Sequence, residues 1–416
     1  MSSSLATRDL SKIDPTGAEI TQCPYEYYRE LRSAAPVFKV PSGDFYIVSS
    51  YELLQTVLKK PEVFQNDIRG DIVKTAELKA VYLPTPTLSQ SDPPQHGRHR
   101  RLVDRVLSPA RVAALEPHIQ TLVDELIDSF IDKGHVELYR EFAVPLPLTL
   151  MADLLGGDRC DLESFKRWST ALVLPTQAVL TEDEERSMAV LAREFNEYFL
   201  AIFRSRRAVP KDDLISVLAT AGIDDQPEGR PLNDDEFISI IQQLLTGGNE
   251  TSSSAICSSV LYLIEHPELP DVLRSNLAAL EVFIEEMLRL ESPIQGLWRR
   301  VREDTTLGGV HLPAGSIINI RMGAANRDEA KFAKAEELDL SRRNSSQHLG
   351  FGGGIHACVG RLLIKKELKL ALSSLIGRLD DLRLPEGTRL DYRRAFLERS
   401  LRALPITFRK RSTAHV

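Results

Sequence analysis

Cysteine is scarce, with four in 416 residues at positions 23, 160, 257 and 358. They share no short repeated spacing, which excludes a disulfide framework and a cysteine zinc site. Basic charge is also short: Lys and Arg total 52 against 59 Asp and Glu, a net charge of −7. Such a balance offers nothing general to nucleic acid or to an anionic membrane. No stretch supplies the ~18 uninterrupted apolar residues of a spanning helix. The opening "MSSSLATRDLSKIDPTGAEI" lacks the apolar centre of a secretion signal. Internal repeats, low-complexity tracts and obvious linkers are missing too. The expectation is a cytoplasmic monomer folded as one domain over 1–416, with about the first 20 residues peripheral.

What is present is apolar patterning, in a chain that is 43% hydrophobic. "APVFKVPSGDFYIVSS" (35–50) reads as two short strands around a Pro-Ser-Gly turn. From "YELLQTVLKK" onward the helical period dominates. Residues 111–134 read as a helix stopped by Gly134, and 186–207 as another. After a polar loop (221–233), Asn233 is placed to cap a helix whose first turn holds Asp234, Asp235 and Glu236. That helix continues to Pro267, about 48 Å at 1.5 Å per residue. Its middle, "LLTGGNETSSS", is made of poor helix formers. The fold class is mainly α with a small β portion.

"FGGGIHACVG" (351–360) sets Cys358 behind Gly350, Gly352, Gly353 and Gly354 and before Gly360, at the start of a helix over 360–376. A lone cysteine beside a turn is by default a buried thiol. Here the glycines let backbone pass close to a flat ligand. A thiolate at a helix start gains from the macrodipole and from unpaired N–H groups, which also tune a metal-bound sulfur. A phosphate loop fits poorly, because no Gly-Lys-Ser/Thr follows. One soft anionic ligand beside a flat clearance suits haem ligation by cysteine.

The same ten residues resemble the haem signature of the cytochrome P450 family, Phe-x-x-Gly-x-x-x-Cys-x-Gly, at Phe351, Gly354, Cys358 and Gly360, with His356 as in bacterial members. "GGNET" resembles the family's oxygen-activation motif, at Gly247, Gly248, Glu250 and Thr251. The resemblance extends over about residues 25–410. It implies the P450 fold, with haem b (iron protoporphyrin IX) between a long distal helix and a proximal cysteine loop. It implies a monooxygenase that inserts one atom of O2 into a small hydrophobic or aromatic substrate, by hydroxylation or O-demethylation. Electrons would come from a separate ferredoxin and an NAD(P)H-dependent ferredoxin reductase. A peroxide-using relative, or a haem-thiolate sensor without turnover, would have no need of Glu250 and Thr251.

The roles that follow from the resemblance are specific. Cys358 is the iron ligand, Glu250 and Thr251 deliver protons, and Gly247 and Gly248 leave room. Phe351 and Gly360 shape the cofactor loop. His96 and Arg100 of "SDPPQHGRHRRL", Arg299 of "GLWRRVRED" (Arg300 being the substitute) and His356 hold the propionates. Glu286 and Arg289 of "EEMLRLESP" form a structural pair tied to Arg342, or to Arg343, because the spacing to His348 is one residue longer than usual. Gln243, Thr246, Gly247, Gln295, Leu297 and Leu397 line the pocket, with Arg69 as anchor for a carboxylate. Residues 65–90 and 165–190 close it. Arg98, Arg101, Arg105, Lys365, Lys366 and Lys369 offer a basic surface to an acidic ferredoxin.

Overall fold

The computed structural model describes residues 9–69, 73–82, 84–157, 162–177, 180–211, 213–222 and 230–412. Cys160 and parts of the two expected closing segments lie outside them. Helices dominate and strands are short, as the sequence pattern requires. The chain divides into two compact units, each assembled from separated stretches. The first takes Met1–Asn66, Glu285–Cys358 and Asp391–Ser400; the second takes Asp67–Ile284, Val359–Leu390 and Leu401–Val416.

In the first unit, Val37–Lys39 and Phe45–Val48 pair antiparallel around the turn expected from Pro-Ser-Gly. Phe45–Val48 then pairs in parallel with Ile317–Ile320, which lies antiparallel to Leu297–Val301. Phe64–Gln65 forms the edge of this five-stranded sheet. Val48, Leu54, Ile318, Ile320 and Phe332 are fully buried in its core. Each such side chain contributes roughly 1.5–3 kcal/mol.

The same unit buries a charge cluster. The helix Leu277–Leu290 puts Glu286 and Arg289 three apart, on one face, and both are 0% exposed. Arg289 donates from Nε to Glu286 Oε1 at 2.7 Å and from Nη2 to Oε2 at 2.9 Å. Arg342 Nε donates to the same Oε2 at 3.0 Å, and the Asp339 N–H at 3.1 Å. The remaining guanidinium donors reach the carbonyls of Asn326, Ala333, Ala335 and Glu337. Arg343 is exposed.

In the second unit, Pro405–Lys410 pairs antiparallel with His135–Glu137 on one side and Leu379–Arg383 on the other. The segment expected as one helix over 111–134 is divided into Pro109–Ala114, Glu116–Asp128 and a 3-10 turn at Ile131–Lys133. Pro117 in the first turn of the second piece explains the division, since proline cannot supply an interior N–H. Gly134 does end the run, in the left-handed region at φ 72°. Glu182–Ala208 starts from a capping box made by Thr181 and Glu184. The 32-residue helix Asp234–Glu265 starts from another, made by Asn233 and Glu236. Phe203 and Phe237 stack between these two helices at 3.8 Å between ring centroids. No helix among the described residues is long and apolar enough to cross a membrane.

Replacing Glu286 by Ala strands two buried guanidiniums, so E286A should lose about 3–5 kcal/mol in denaturant titration. R343A should leave the midpoint unchanged.

Candidate active site

The long helix Asp234–Glu265 is buried along most of its length, but not around its middle. Gln243, Thr246, Gly247, Gly248, Glu250 and Thr251 are half-buried or exposed, while Leu244, Leu245 and Asn249 are buried. Positions 243, 246/247 and 250/251 share one helical face, so one stripe is left open in an otherwise covered helix. Gly248 backs onto Met151: a Cβ there would lie 3.2 Å from the sulfur. Three consecutive hydroxyls turn back on the helix. Thr251 donates to Gly247 O at 2.9 Å, Ser252 to Gly248 O at 2.9 Å and Ser253 to Asn249 O at 3.0 Å. Back-bonding of this kind loosens and bends a helix.

Glu250 is met by Tyr139, whose OH donates to Oε2 at 3.4 Å. Tyr139 opens a single π-helical turn, Tyr139–Ala143, a distortion frequent at functional sites. Ser252 Oγ also lies 3.0 Å from Oε2 of Glu367, on the helix Arg361–Arg378. Glu367 is 2% exposed, and burial pushes its carboxyl up to about 8, with the Ser252 hydrogen bond opposing.

His96 and Arg100 sit four apart on the helix Gln95–Val106. Burial, then the Arg100 charge, lowers His96 to about 4, which leaves a neutral ring with one N–H to donate. Arg100 Nε donates to Asp104 at 2.9 Å.

In the first unit, none of the residues of the cysteine loop (350–358) is buried. Cys358 lies outside any disulfide, and its N–H donates to Phe351 O at 2.8 Å. Gly354 has φ 62°, and a Cβ on it would sit 2.1 Å from Leu58 O, so only glycine fits. His356 Nε2 is 2.7 Å from Asn66 Nδ2. Behind the loop, the Gly350 N–H donates to His348 Nδ1 at 3.0 Å, which puts the ring proton on Nε2, 3.1 Å from Glu285. Asn326 Oδ1 takes the Leu349 N–H at 2.6 Å. Past the loop, Gly360 caps the Arg361–Arg378 helix. Arg299 is buried on the strand Leu297–Val301, on the face of Val301, while Arg300 points to the other face and is less buried.

Among the described residues, no three His, Cys, Asp or Glu side chains gather to hold a bare ion. The family model for cytochrome P450 matches residues 155–391. The chain belongs to the cytochrome P450 family. It is 32% identical over 402 residues to the P450 monooxygenase PikC of Streptomyces venezuelae, covering 95% of this chain and 93% of that one. It is 34% identical over 396 residues to the 6-deoxyerythronolide B hydroxylase of Saccharopolyspora erythraea, covering 92% and 95%. The solved structure of CYP109Q5 from Chondromyces apiculatus superposes with a TM-score of 0.86 at 32% identity, covering 97% of this chain and 100% of that one. This P450 is a monooxygenase, and its cofactor is haem.

Two residues expected in the substrate pocket have other work. Gln295 is buried with its whole amide engaged: Tyr28 OH donates to Oε1 at 2.8 Å, and Nε2 donates to Glu291 O at 2.8 Å and Ser292 O at 2.7 Å. It braces the first unit. Arg69 is buried and forked onto Asp67 at 2.9 and 2.8 Å, so its charge is already neutralised. Leu297 packs on the core of the five-stranded sheet. Leu397 is buried, and its carbonyl takes the Gln295 N–H at 2.7 Å. Gln243 Oε1 accepts the Ser89 N–H at 3.0 Å, and Thr246 donates to Gln242 O at 2.7 Å.

Tyr139 and Glu367 went unnoticed in the sequence, and Ser252 drew attention only as part of the stretch of poor helix formers. For Glu367 a signal existed: it shares the buried stripe Leu363, Glu367, Ala371 of its helix, where a carboxyl is out of place.

Two outcomes follow for this P450. G354A should fold with less retained haem per chain, measured as the ratio of haem absorbance to protein. Burial favours a proton on Glu367 in the folded state, whereas the unfolded chain releases it above its ordinary range. This group's share of stability therefore falls as pH rises from roughly 4.5 to 8. Denaturant midpoints of E367Q should lack that decline.

Proposed function

We propose that this P450 oxygenates a neutral, hydrophobic substrate, by hydroxylation or O-demethylation, with Cys358 as the thiolate ligand and Glu250 with Thr251 as proton donors. The observation that carries this is the open stripe of the long helix, which exposes an acid and an alcohol side by side in an otherwise buried element. Haem, when bound, would supply the site at which dioxygen binds and is reduced, with the electrons arriving from outside this chain. The Cys358 thiolate favours O–O cleavage. His96, Arg100, Arg299 and His356 would hold the propionates, the arginines by charge and His96 as a neutral hydrogen-bond donor. Glu250 takes a proton at its carboxylate, and the Thr251 hydroxyl turns from Gly247 O to pass it on.

Substrate charge is argued from what is already occupied. Arg69 is neutralised by Asp67, Gln243 Oε1 accepts the Ser89 N–H, and the Thr246 hydroxyl proton goes to Gln242 O. An aromatic acid thus meets no waiting cation there, which favours neutral molecules.

Electrons come from a separate ferredoxin served by an NAD(P)H-dependent reductase, in the cytoplasm. Two of the basic residues considered for docking are ion-paired, Lys366 with Glu116 at 2.5 Å and Lys369 with Glu281 at 2.6 Å. Arg105 is exposed and carries more of the attraction.

Visible titration of the ferric protein should give a low-to-high-spin shift with neutral hydrophobic compounds and none with aromatic acids; the reverse would refute the substrate class. T251A should keep that shift while product formation drops roughly 10²-fold and NAD(P)H is spent on peroxide. Unchanged coupling would remove Thr251 from proton delivery.

A further inference from the structure

One face of the five-stranded sheet collects polar groups that no neighbour satisfies. Ile318 and Ile320 point into the core with Leu54 and Phe332. Asn319 and Arg321 alternate with them on the opposite face, where Ile47 packs with Tyr27, Tyr28 and Leu31 of the helix Tyr25–Ala34. Asn319 is fully buried, and both its amide atoms lack partners among the described residues. Arg321 is 2% exposed; its Nη1 donates to the Phe396 carbonyl at 2.6 Å, while Nη2 meets no acceptor among them. The hydroxyl of Tyr27, also 2% exposed, is unpartnered there too. These groups are neighbours. A Cβ on Gly296 would lie 2.5 Å from Asn319 Oδ1 and 3.3 Å from Arg321 Cζ. Burial raises the Tyr27 phenol, and the nearby Arg321 charge opposes it. Arg321 and Tyr27 line a small cavity, with Thr21, Tyr28, Gln295 and Phe396 also on its wall.

Charge decides what such a cavity holds. A guanidinium stays protonated inside a protein, so burying one without a counter-charge is costly. Arg289, Arg342, Arg327 and Arg399, buried in the same unit, each reach a carboxylate: Glu286 for the first two, Glu291 for the others. Arg321 leans instead on the rings of Phe396 and Tyr28, 3.8 and 5.9 Å from its Cζ. Burial works against its charge, and the Tyr28 and Tyr27 hydroxyls oppose that effect. Glu398 also lines the cavity but is not among the groups that act on Arg321. Residues 1–8, outside the described ones, contain no Asp or Glu that could take the place. Water would complete the hydrogen bonds and leave the charge unmet. The cavity offers about 20 Å³ to the centre of a small species, enough for roughly one water-sized ion and too little for sulfate or phosphate.

We propose that this cavity is a halide site, where chloride accepts from Arg321 Nη2 and the Tyr27 hydroxyl and serves as the counter-charge of the buried guanidinium. Arg321 also holds the Phe396 carbonyl. The ion therefore ties the segment Asp391–Ser400 to the sheet and to the helix Tyr25–Ala34, and the stability of the first unit depends on halide.

Crystals of the haem-loaded protein grown in sodium bromide should show an anomalous bromide peak beside Arg321 Nη2 and the Tyr27 hydroxyl. Water there, with no bromide, overturns the proposal. In solution, the thermal midpoint of the holoenzyme should rise by a few degrees from sodium gluconate, whose anion is too large to enter, to sodium bromide at equal ionic strength. Equal midpoints in the two salts overturn it as well. R321M, which removes the charge, should unfold at the same midpoint in both; a wild-type response in R321M would assign the effect to another place and sink the site. Y27F keeps the charge and loses one donor, so it should need several-fold more bromide for half of the shift. Should R321M fail to fold, Y27F and the bromide peak decide: a Y27F response identical to wild type, or no peak, counts against the site.

Discussion

A single carboxylate, that of Glu286, sits fully buried between two guanidiniums, and the cysteine loop is hung from this arrangement. Burying three ions costs several kcal/mol each. The cost is offset only because the donors find oxygens: Arg289 and Arg342 share Glu286 and then bind the carbonyls of Asn326, Ala333, Ala335 and Glu337. Residues 326–342, irregular for most of their length, are thereby wound around a charge cluster. Asn326, held by its carbonyl, offers Oδ1 to the Leu349 N–H and Nδ2 to Ser292 Oγ. His348, fixed by Glu285, takes the Gly350 N–H. The glycine loop and Cys358 come next. The loop that carries Cys358 is held by ion pairing one layer further back.

Much of this was legible before any coordinates. A cysteine at a glycine-rich helix start and an acid–alcohol pair amid poor helix formers are local patterns, and local patterns survive folding. The strands at 37–48 and the capped long helix were legible for the same reason. Spacing alone could not choose between Arg342 and Arg343; burial of one and exposure of the other is a tertiary fact. The bracing contact of Gln295 was hidden because its phenolic partner, Tyr28, lies 267 positions away in the chain. Arg69 is different, since Asp67 stands only two residues before it. The division of 111–134 was equally available in Pro117.

The long helix shows how a functional requirement displaces intrinsic preference. Gly247 and Gly248 weaken the helix, and the hydroxyls of 251–253 weaken it further by competing for its carbonyls. Such a stretch persists because both flanks are strong: a capping box at Asn233 and Glu236, aromatic stacking at Phe237, and a fully buried run from Ser252 to Leu261. Weakness is confined to the turn where side chains must move.

The first unit closes with Asp391–Ser400, whose Phe396 carbonyl takes Arg321 Nη1 at 2.6 Å and whose Arg399 Nη1 donates to Gln22 O at 2.7 Å. Its opening strands are made first on the ribosome and these partners almost last. At about 5–20 residues per second, the delay is on the order of tens of seconds. During that time Val48 and Leu54 lack the part of their cover that Ile318, Ile320 and Phe332 supply. A nascent chain in this condition is a natural client for a chaperone that shields extended hydrophobic segments, and overproduction outpacing that supply favours inclusion bodies.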